Sequence, residues 1–260
     1  MLPLPVLAAE MANLSVPHIW EIPNGAWVPP WSGACEEASM MMVERYYLGN
    51  RGVSYSNTEM QLIMQPLFAI EDHLFGSNSD TNSTRTLKVI NDFTSFDATS
   101  KQNPSLDDIK SELRRGHPVI SLHYGYSLNN PLHRFRRGGS SYHMMVITGF
   151  DEDKKEFLVN DPELKNGLDF RYPYDIILGS LHDFNHATKK ADGPPVVLFT
   201  KSKQIVRGAG RRKIFVVRDN TKYLITNPTV FTNHRWSWKL VREVDIKWLD
   251  SLPSGESINQ

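Results

Sequence analysis

The order of apolar and polar positions changes character near residue 118. Before it the periodicity is helical. The run CEEASMMMVERYYL, Cys35 to Leu48, combines strong helix formers with Ala38, Met41, Met42 and Arg45 on or beside one stripe, and Gly49 supplies a stop. A second helix is predicted from Thr58 to about Ile70, and a third from Thr84 to Phe93 after the polar loop 78–82. Ser105 is a good N-cap with Asp108 three residues on, and Gly116 ends that helix. Beyond this point the apolar runs are short. Pro118–Leu122, Met144–Phe150 and Glu156–Asn160 read as strands, the last two joined by the polar turn Asp151–Lys155 into an antiparallel hairpin. Helices first and strands later is an α+β order, not alternating βαβ. Ile214–Val217 and Lys222–Ile225 flank Arg218–Thr221, a second hairpin, so 203–260 reads as a small β-rich accessory module. Residues 15–34, rich in Pro, Gly and Trp, are an irregular lead-in to the first helix.

Composition narrows the class. A chain of 260 residues with 40% hydrophobic and 22% charged positions has enough apolar material for one sizeable core plus an appendage. Net charge is zero but unevenly placed: residues 1–200 carry 17 Lys/Arg against 24 Asp/Glu, and residues 201–260 carry 12 against 5. The basic tail suits an anionic polymer, or the two surfaces are simply solvated with opposite sign. One cysteine excludes an intrachain disulfide and leaves the redox compartment open. No run approaches the roughly 18–20 apolar residues of a membrane span. Residues 1–14 form an N-terminal arm or a signal remnant. Val6-Leu7-Ala8-Ala9 resembles the end of a secretion signal but lacks a basic start, which points to an extracytoplasmic or secreted protein, with the cytoplasm as the other reading. No phosphate-binding glycine loop or nucleic-acid motif is present.

The chemistry centres on Cys35. A cysteine nucleophile acts as a thiolate and needs a nearby imidazole, itself oriented by a carboxylate or amide. A helix start favours the thiolate through its N–H groups and dipole. His143 precedes the apolar run Met144–Ile147, and Asp161 follows the next strand. In an antiparallel hairpin the start of one strand lies beside the end of its partner, which brings His143 and Asp161 to one end of the sheet. Taken singly, each has a plainer reading: a buried small hydrophobe, a structural histidine and a turn-opening Asp-Pro.

The stretch Trp27-Val-Pro-Pro-Trp-Ser-Gly-Ala-Cys35-Glu-Glu-Ala-Ser39 resembles the nucleophile segment of bacterial cysteine peptidases of family thirty-nine, which include the domains that clip double-glycine leaders from bacteriocin precursors. Phe75-Gly76 with Asp80-Thr81, Gly116-His-Pro-Val-Ile120, Leu128-Asn-Asn-Pro131, Tyr142-His-Met-Met-Val-Ile-Thr-Gly-Phe-Asp151, Phe157-Leu-Val-Asn-Asp-Pro162, Arg171-Tyr-Pro-Tyr-Asp175 and Leu181-His-Asp-Phe184 follow in the family's order. The resemblance covers about residues 15–200. It implies a papain-like fold with a helical half and an antiparallel sheet half. Cys35 would be the nucleophile, His143 the base and acid, and Asp161 the orienting group. It implies a peptide or protein substrate and no metal or organic cofactor.

One position departs from the family. The motif Val-Pro-x-x-x-Gln-x-Pro stands here as Val16-Pro-His-Ile-Trp-Glu21-Ile-Pro23, with Glu21 where a glutamine amide would donate to the oxyanion. An ionised carboxylate cannot donate. Either Glu21 is held protonated, or Asn24 substitutes, or the enzyme is impaired. The competing reading is therefore a pseudopeptidase that binds peptide or cell-wall material without cleaving it. His182 and His186, four apart, read as surface histidines rather than metal ligands, and Asp151, Asp153 and Glu156 as an acidic turn. Arg134, Arg136 and Arg137 beside Gly138-Gly139 form a basic loop just ahead of His143, able to read an acidic substrate or simply solvated. Residues 203–260 resemble a short repeat of bacterial surface proteins. The basic residues with Trp236, Trp238 and Trp248 suit an anionic wall polymer or a glycan.

Overall fold

The computed structural model describes residues 11–133 and 141–259. Residues 1–10 of the N-terminal arm and the basic loop with Arg134, Arg136 and Arg137 lie outside the described residues. In chain order the elements are β1 (Met11–Asn13), α1 (Cys35–Tyr47), α2 (Asn57–Phe75), α3 (Ser83–Phe93), β2 (Phe96–Gln102), α4 (Leu106–Arg114), β3 (Val119–Tyr124), β4 (Tyr142–Asp151), β5 (Glu156–Asn160), β6 (Phe170–Pro173), α5 (Tyr174–Ser180) and β7 (Val196–Ser202). There follow β8 (Gln204–Gly208), β9 (Ile214–Arg218), β10 (Thr221–Ile225), α6 (Thr229–Asn233), β11 (Val241–Val244) and α7 (Ile246–Ser251).

The first sheet runs β2-β7-β3-β4-β5-β6 and is antiparallel throughout, with β1 lying along β4 beyond the end of β3. It is an α+β arrangement, helices ahead of strands, as the sequence order indicates. Strand β4 is buried along its whole length because both its faces are covered. Alternate residues serve opposite cores: Met144 and Val146 pack with α1, α2 and α3, while Met145 and Ile147 pack with α4 and α5. Helix α1 is almost wholly enclosed, and Met40, Met41 and Met42 join Met64, Met144 and Met145 in complete burial. At Gly149, where β4 shifts register, a Cβ would stand 2.1 Å from the Ala12 carbonyl oxygen, so only glycine lets β1 approach.

Local chemistry explains the boundaries. Helix α2 begins at a Ser56–Glu59 capping box and ends at Gly76, which adopts φ 74°. It starts earlier and runs further than the pattern predicts, passing through Pro66. The Ser105–Asp108 box opens α4 as read from sequence. Strands β1, β2, β6, β7, β8 and β11 lie outside the strands that the pattern predicts. Strand β2 is polar and half exposed at the sheet edge, so it lacks an apolar signature.

The second sheet has the order β10-β9-β8-β11, with β11 parallel to β8. The β9–β10 hairpin turns on Asp219 and Asn220, both with positive φ, the requirement of a type I′ turn. Its core gathers Ile205, Val216, Phe231, Trp236 and Leu240, and Leu48 from the end of α1 packs against it. Charge joins the two sheets: Lys203 Nζ donates to Asp97 Oδ1 at 2.7 Å and to the Asn91 carbonyl at 2.9 Å. The Arg218 guanidinium donates to that same carbonyl at 2.7 Å.

Candidate active site

Cys35 is the first residue of α1, so its N–H stands among the helix donors without an intrahelical acceptor. His143 enters from the second position of β4. Asp161 follows the last residue of β5, which pairs with Val146. All three are buried. His143 Nε2 donates to Asp161 Oδ1 at 2.9 Å. A carboxylate oxygen of Glu21, the Cys35 sulfur and a ring nitrogen of His143 lie within 4.8 Å of one another. The sequence-predicted residues Cys35, His143, Asp161 and Glu21 are thus brought together. Asn24 is not: it is exposed, and its Oδ1 accepts from Ala26 N at 3.0 Å within its own turn.

Asp161 is held on every side. Oδ1 also accepts from Glu163 N at 3.2 Å, and Oδ2 accepts from His133 Nε2 at 2.7 Å and the Tyr172 hydroxyl at 2.8 Å. Asn130 in turn donates to that hydroxyl at 2.7 Å. The turn after Asp161 closes on itself through Gly167, where a Cβ would meet the Asp161 carbonyl oxygen at 2.0 Å. Sequence reasoning assigned no role to His133, Asn130 or Tyr172. A second histidine ten positions ahead of His143 was the available signal.

The irregular lead-in is anchored to the same turn. Asn160 Nδ2 donates to the Val16 carbonyl at 2.9 Å, and His18 Nε2 to the Asp161 carbonyl at 2.9 Å. The Trp20 indole donates to the Glu163 carbonyl at 3.2 Å, and the Glu21 backbone N–H to the Pro162 carbonyl at 2.9 Å. Glu21 is 2% exposed, and its Oε2 has no hydrogen-bond partner.

The electrostatics separate the groups by role. Burial opposes the Asp161 charge, but His143 and His133 outweigh it and hold the carboxyl well below the usual range. Burial likewise opposes a charge on His143, and Asp161 more than offsets it, so the imidazole is more basic than usual. The Cys35 thiol is pushed well above its ordinary value, by burial first and then by Glu36 and Glu21. Its thiol donates to Glu36 Oε2 at 2.9 Å. Glu36 itself is pushed up to about 8, mainly by burial and then by Asp80, while Thr81 N donates to its Oε1 at 2.8 Å. Burial places Glu37 and Glu71 above the usual carboxylate range.

Proximity of this kind is common to proton relays and metal sites. Two overlapping groups have this spacing, Glu21–Cys35–His143 and His133–His143–Asp161. The other sequence candidates lie elsewhere. His182 accompanies a β-bridge rather than a helix, with Nδ1 2.9 Å from the Gly193 carbonyl oxygen. Arg171 bonds both Asp151 and Glu156, at 3.0 and 3.2 Å, which satisfies the acidic turn.

A family model described as Peptidase_C39 like family matches residues 14–188. A solved structure from Bacillus anthracis, provisionally described as a C39-like peptidase, is similar with 14% identity, covering 74% of this chain and 98% of that chain, at a TM-score of 0.45. Comparison with curated proteins found no match.

Proposed function

Because the chain belongs to the Peptidase_C39 like family, we propose that it is a thiol peptidase whose triad is Cys35, His143 and Asp161. The observation that carries this reading is the His143–Asp161 bond of 2.9 Å with the Cys35 sulfur within 4.8 Å of the same ring. Nε2 is engaged by Asp161, so the relay to sulfur runs through Nδ1. On substrate entry the thiol proton passes to His143 and the sulfur attacks the peptide carbonyl. The C–N bond then breaks as His143 returns the proton to the leaving amine, leaving a thioester on Cys35. Water attacks that thioester with His143 as base, and the thiol is restored. Asp161 stays ionised and steadies the imidazolium.

The test is covalent labelling with a peptidyl chloromethyl ketone, read by intact mass. Cys35 should label, and His143→Ala should slow labelling by about 10²–10⁴. Absence of labelling in the folded protein, or an undiminished rate in His143→Ala, would sink the reading.

Glu21 in the place of the family's glutamine favours a second reading, a binding protein without turnover. The accessory sheet supports a binding role of its own. A cleft of about 260 Å³ is lined by Arg212, Lys213, Phe231 and Trp238, the last two rings stacked 3.7 Å apart. Cationic and aromatic side chains lining one cleft suit an anionic wall polymer. Deleting the Arg212 and Lys213 charges should abolish retention on such a polymer, and unchanged retention would refute it.

A further inference from the structure

Glu21 is the buried group of the site that the triad mechanism leaves without work. Its backbone is tied to the Asp161 turn, and its side chain reaches within 4.8 Å of both the sulfur and the His143 ring. The charged and titratable groups that face it are Glu163 and Asp161 from that turn, Cys35 and Glu36 from α1, Asp80 ahead of α3, and His143 from β4. Apart from the thiol and the histidine these groups are acids, and Asp161 already engages the histidine. A bare carboxylate enclosed in such company, with one oxygen unpartnered, would cost several kcal/mol. A neutral acid avoids that cost, and it carries a hydrogen. The same burial and the same acids push the Glu21 carboxyl well above its usual range.

Resting on the thiol-peptidase reading, we propose that Glu21 is a catalytic residue of the reaction: as a neutral carboxylic acid it donates its O–H to the oxyanion formed when Cys35 attacks, alongside the Cys35 backbone N–H. The unpartnered oxygen in the resting site is then a place kept for the substrate oxygen. The hydrogen is shared with that oxygen while it carries the negative charge and returns to Glu21 as the carbonyl reforms and the C–N bond breaks. No proton is gained or lost. Glu21 does what a glutamine amide does, with one difference: a glutamine donates at every pH, whereas Glu21 donates only until it ionises. Replacing the usual amide by an acid therefore confines full activity to the range in which the acid keeps its hydrogen.

The experiment compares wild type, Glu21→Gln and Glu21→Ala by their rates of labelling with a peptidyl chloromethyl ketone between pH 5.5 and 9. Iodoacetamide, which forms no oxyanion, is the control. At pH 5.5 wild type and Glu21→Gln should label equally, and Glu21→Ala should be slower by about 10²–10³, the worth of one oxyanion donor. As pH rises Glu21→Gln should overtake wild type by a larger factor with the peptidyl ketone than with iodoacetamide, whose rate senses only the charge that an ionised Glu21 places beside the thiol; an equal factor with both probes would overturn the proposal. A Glu21→Gln variant already faster than wild type at pH 5.5 would overturn the proposal, because Glu21 would then be ionised throughout. So would a Glu21→Ala variant at the wild-type rate. Should the alanine variant fail to fold, the wild-type to glutamine ratio decides alone. Failure of the peptidase reading looks different: the peptidyl probe then labels none of the variants, or labels without need of His143.

Discussion

Replacing Lys203 by methionine removes a cation from the joint between the two sheets. The lysine side chain is fully enclosed, with Nζ 2.7 Å from Asp97 Oδ1 and 2.9 Å from the Asn91 carbonyl. Burial is the leading influence and draws its pKa from 10.5 down to about 8, against the pull of Asp97. At about 1.36 kcal/mol per pH unit, that gap is worth about 3 kcal/mol. The sign follows from proton counts. An unfolded chain keeps the lysine proton to about pH 10.5, while the native chain sheds it near pH 8. Between those limits the unfolded state binds more protons, so stability rises with pH. Methionine carries no such proton. The unfolding free energy of wild type minus that of Lys203→Met should therefore climb by about 3 kcal/mol from pH 7.5 to pH 10.5. Taking the difference cancels the tyrosines and Cys35, which titrate in both proteins. Urea titrations followed by tryptophan fluorescence at three pH values supply the numbers. At pH 7.5 the variant should also be less stable by about 3–5 kcal/mol, since Asp97 is left buried with only Arg218 at 3.6 Å. Pairing the substitution with Asp97→Asn should recover much of that loss. A difference that stays flat across the pH range would refute the argument, because Lys203 would then be as easily ionised inside the protein as outside it.

Other expectations concern the triad. Asp161→Asn should lower peptidyl-ketone labelling by about 10⁴. It should also move the acid limb of the pH–rate profile to lower pH, since Asp161 is what makes His143 more basic; an unmoved limb would contradict the assignment. His133→Leu strips a donor from Asp161 and should slow labelling about 10–100-fold, the equivalent of one charge-assisted hydrogen bond. His133→Gln, which keeps an N–H, should restore most of it, and no rescue would mean that His133 acts through packing alone. Gly167→Ala forces a methyl group into the Asp161 carbonyl and should cost more than about 3 kcal/mol in urea unfolding. A near-neutral result would show that the turn relaxes easily.

Much of this molecule is legible in the chain itself, and the limits have physical causes. Helices α1, α3 and α4 announce themselves through propensity and caps, and β4 and β5 through apolar runs around a polar turn. Those two strands also explain why His143 and Asp161 meet: antiparallel pairing is a local consequence of a short connection. Strand β2 stays hidden because an edge strand with one exposed end needs no apolar face. The reach of α2 is masked by Pro66, whose cost to a helix is outweighed when that helix packs on a core. His133 and Tyr172 converge on Asp161 from separate segments, a contact that no spacing rule encodes. Glu21 could be marked as unusual from sequence, but the upward push on its carboxyl comes from burial and from acids in three separate parts of the chain.

The six enclosed methionines, Met40, Met41, Met42, Met64, Met144 and Met145, give the protein a memory of its own breathing. A thioether that meets peroxide becomes a polar, chiral sulfoxide that no longer fits where it was. These sulfurs are sealed from solvent, five between α1–α3 and the sheet and Met145 on the sheet's other face, so they meet peroxide when the layers part. Oxidation in such an event is recorded chemically and damages the packing behind Cys35. A thiol can be reduced back after oxidation, but a core altered in this way does not close as before. The working life of the protein under oxidative stress therefore depends on how often its core opens, as well as on the redox state of Cys35.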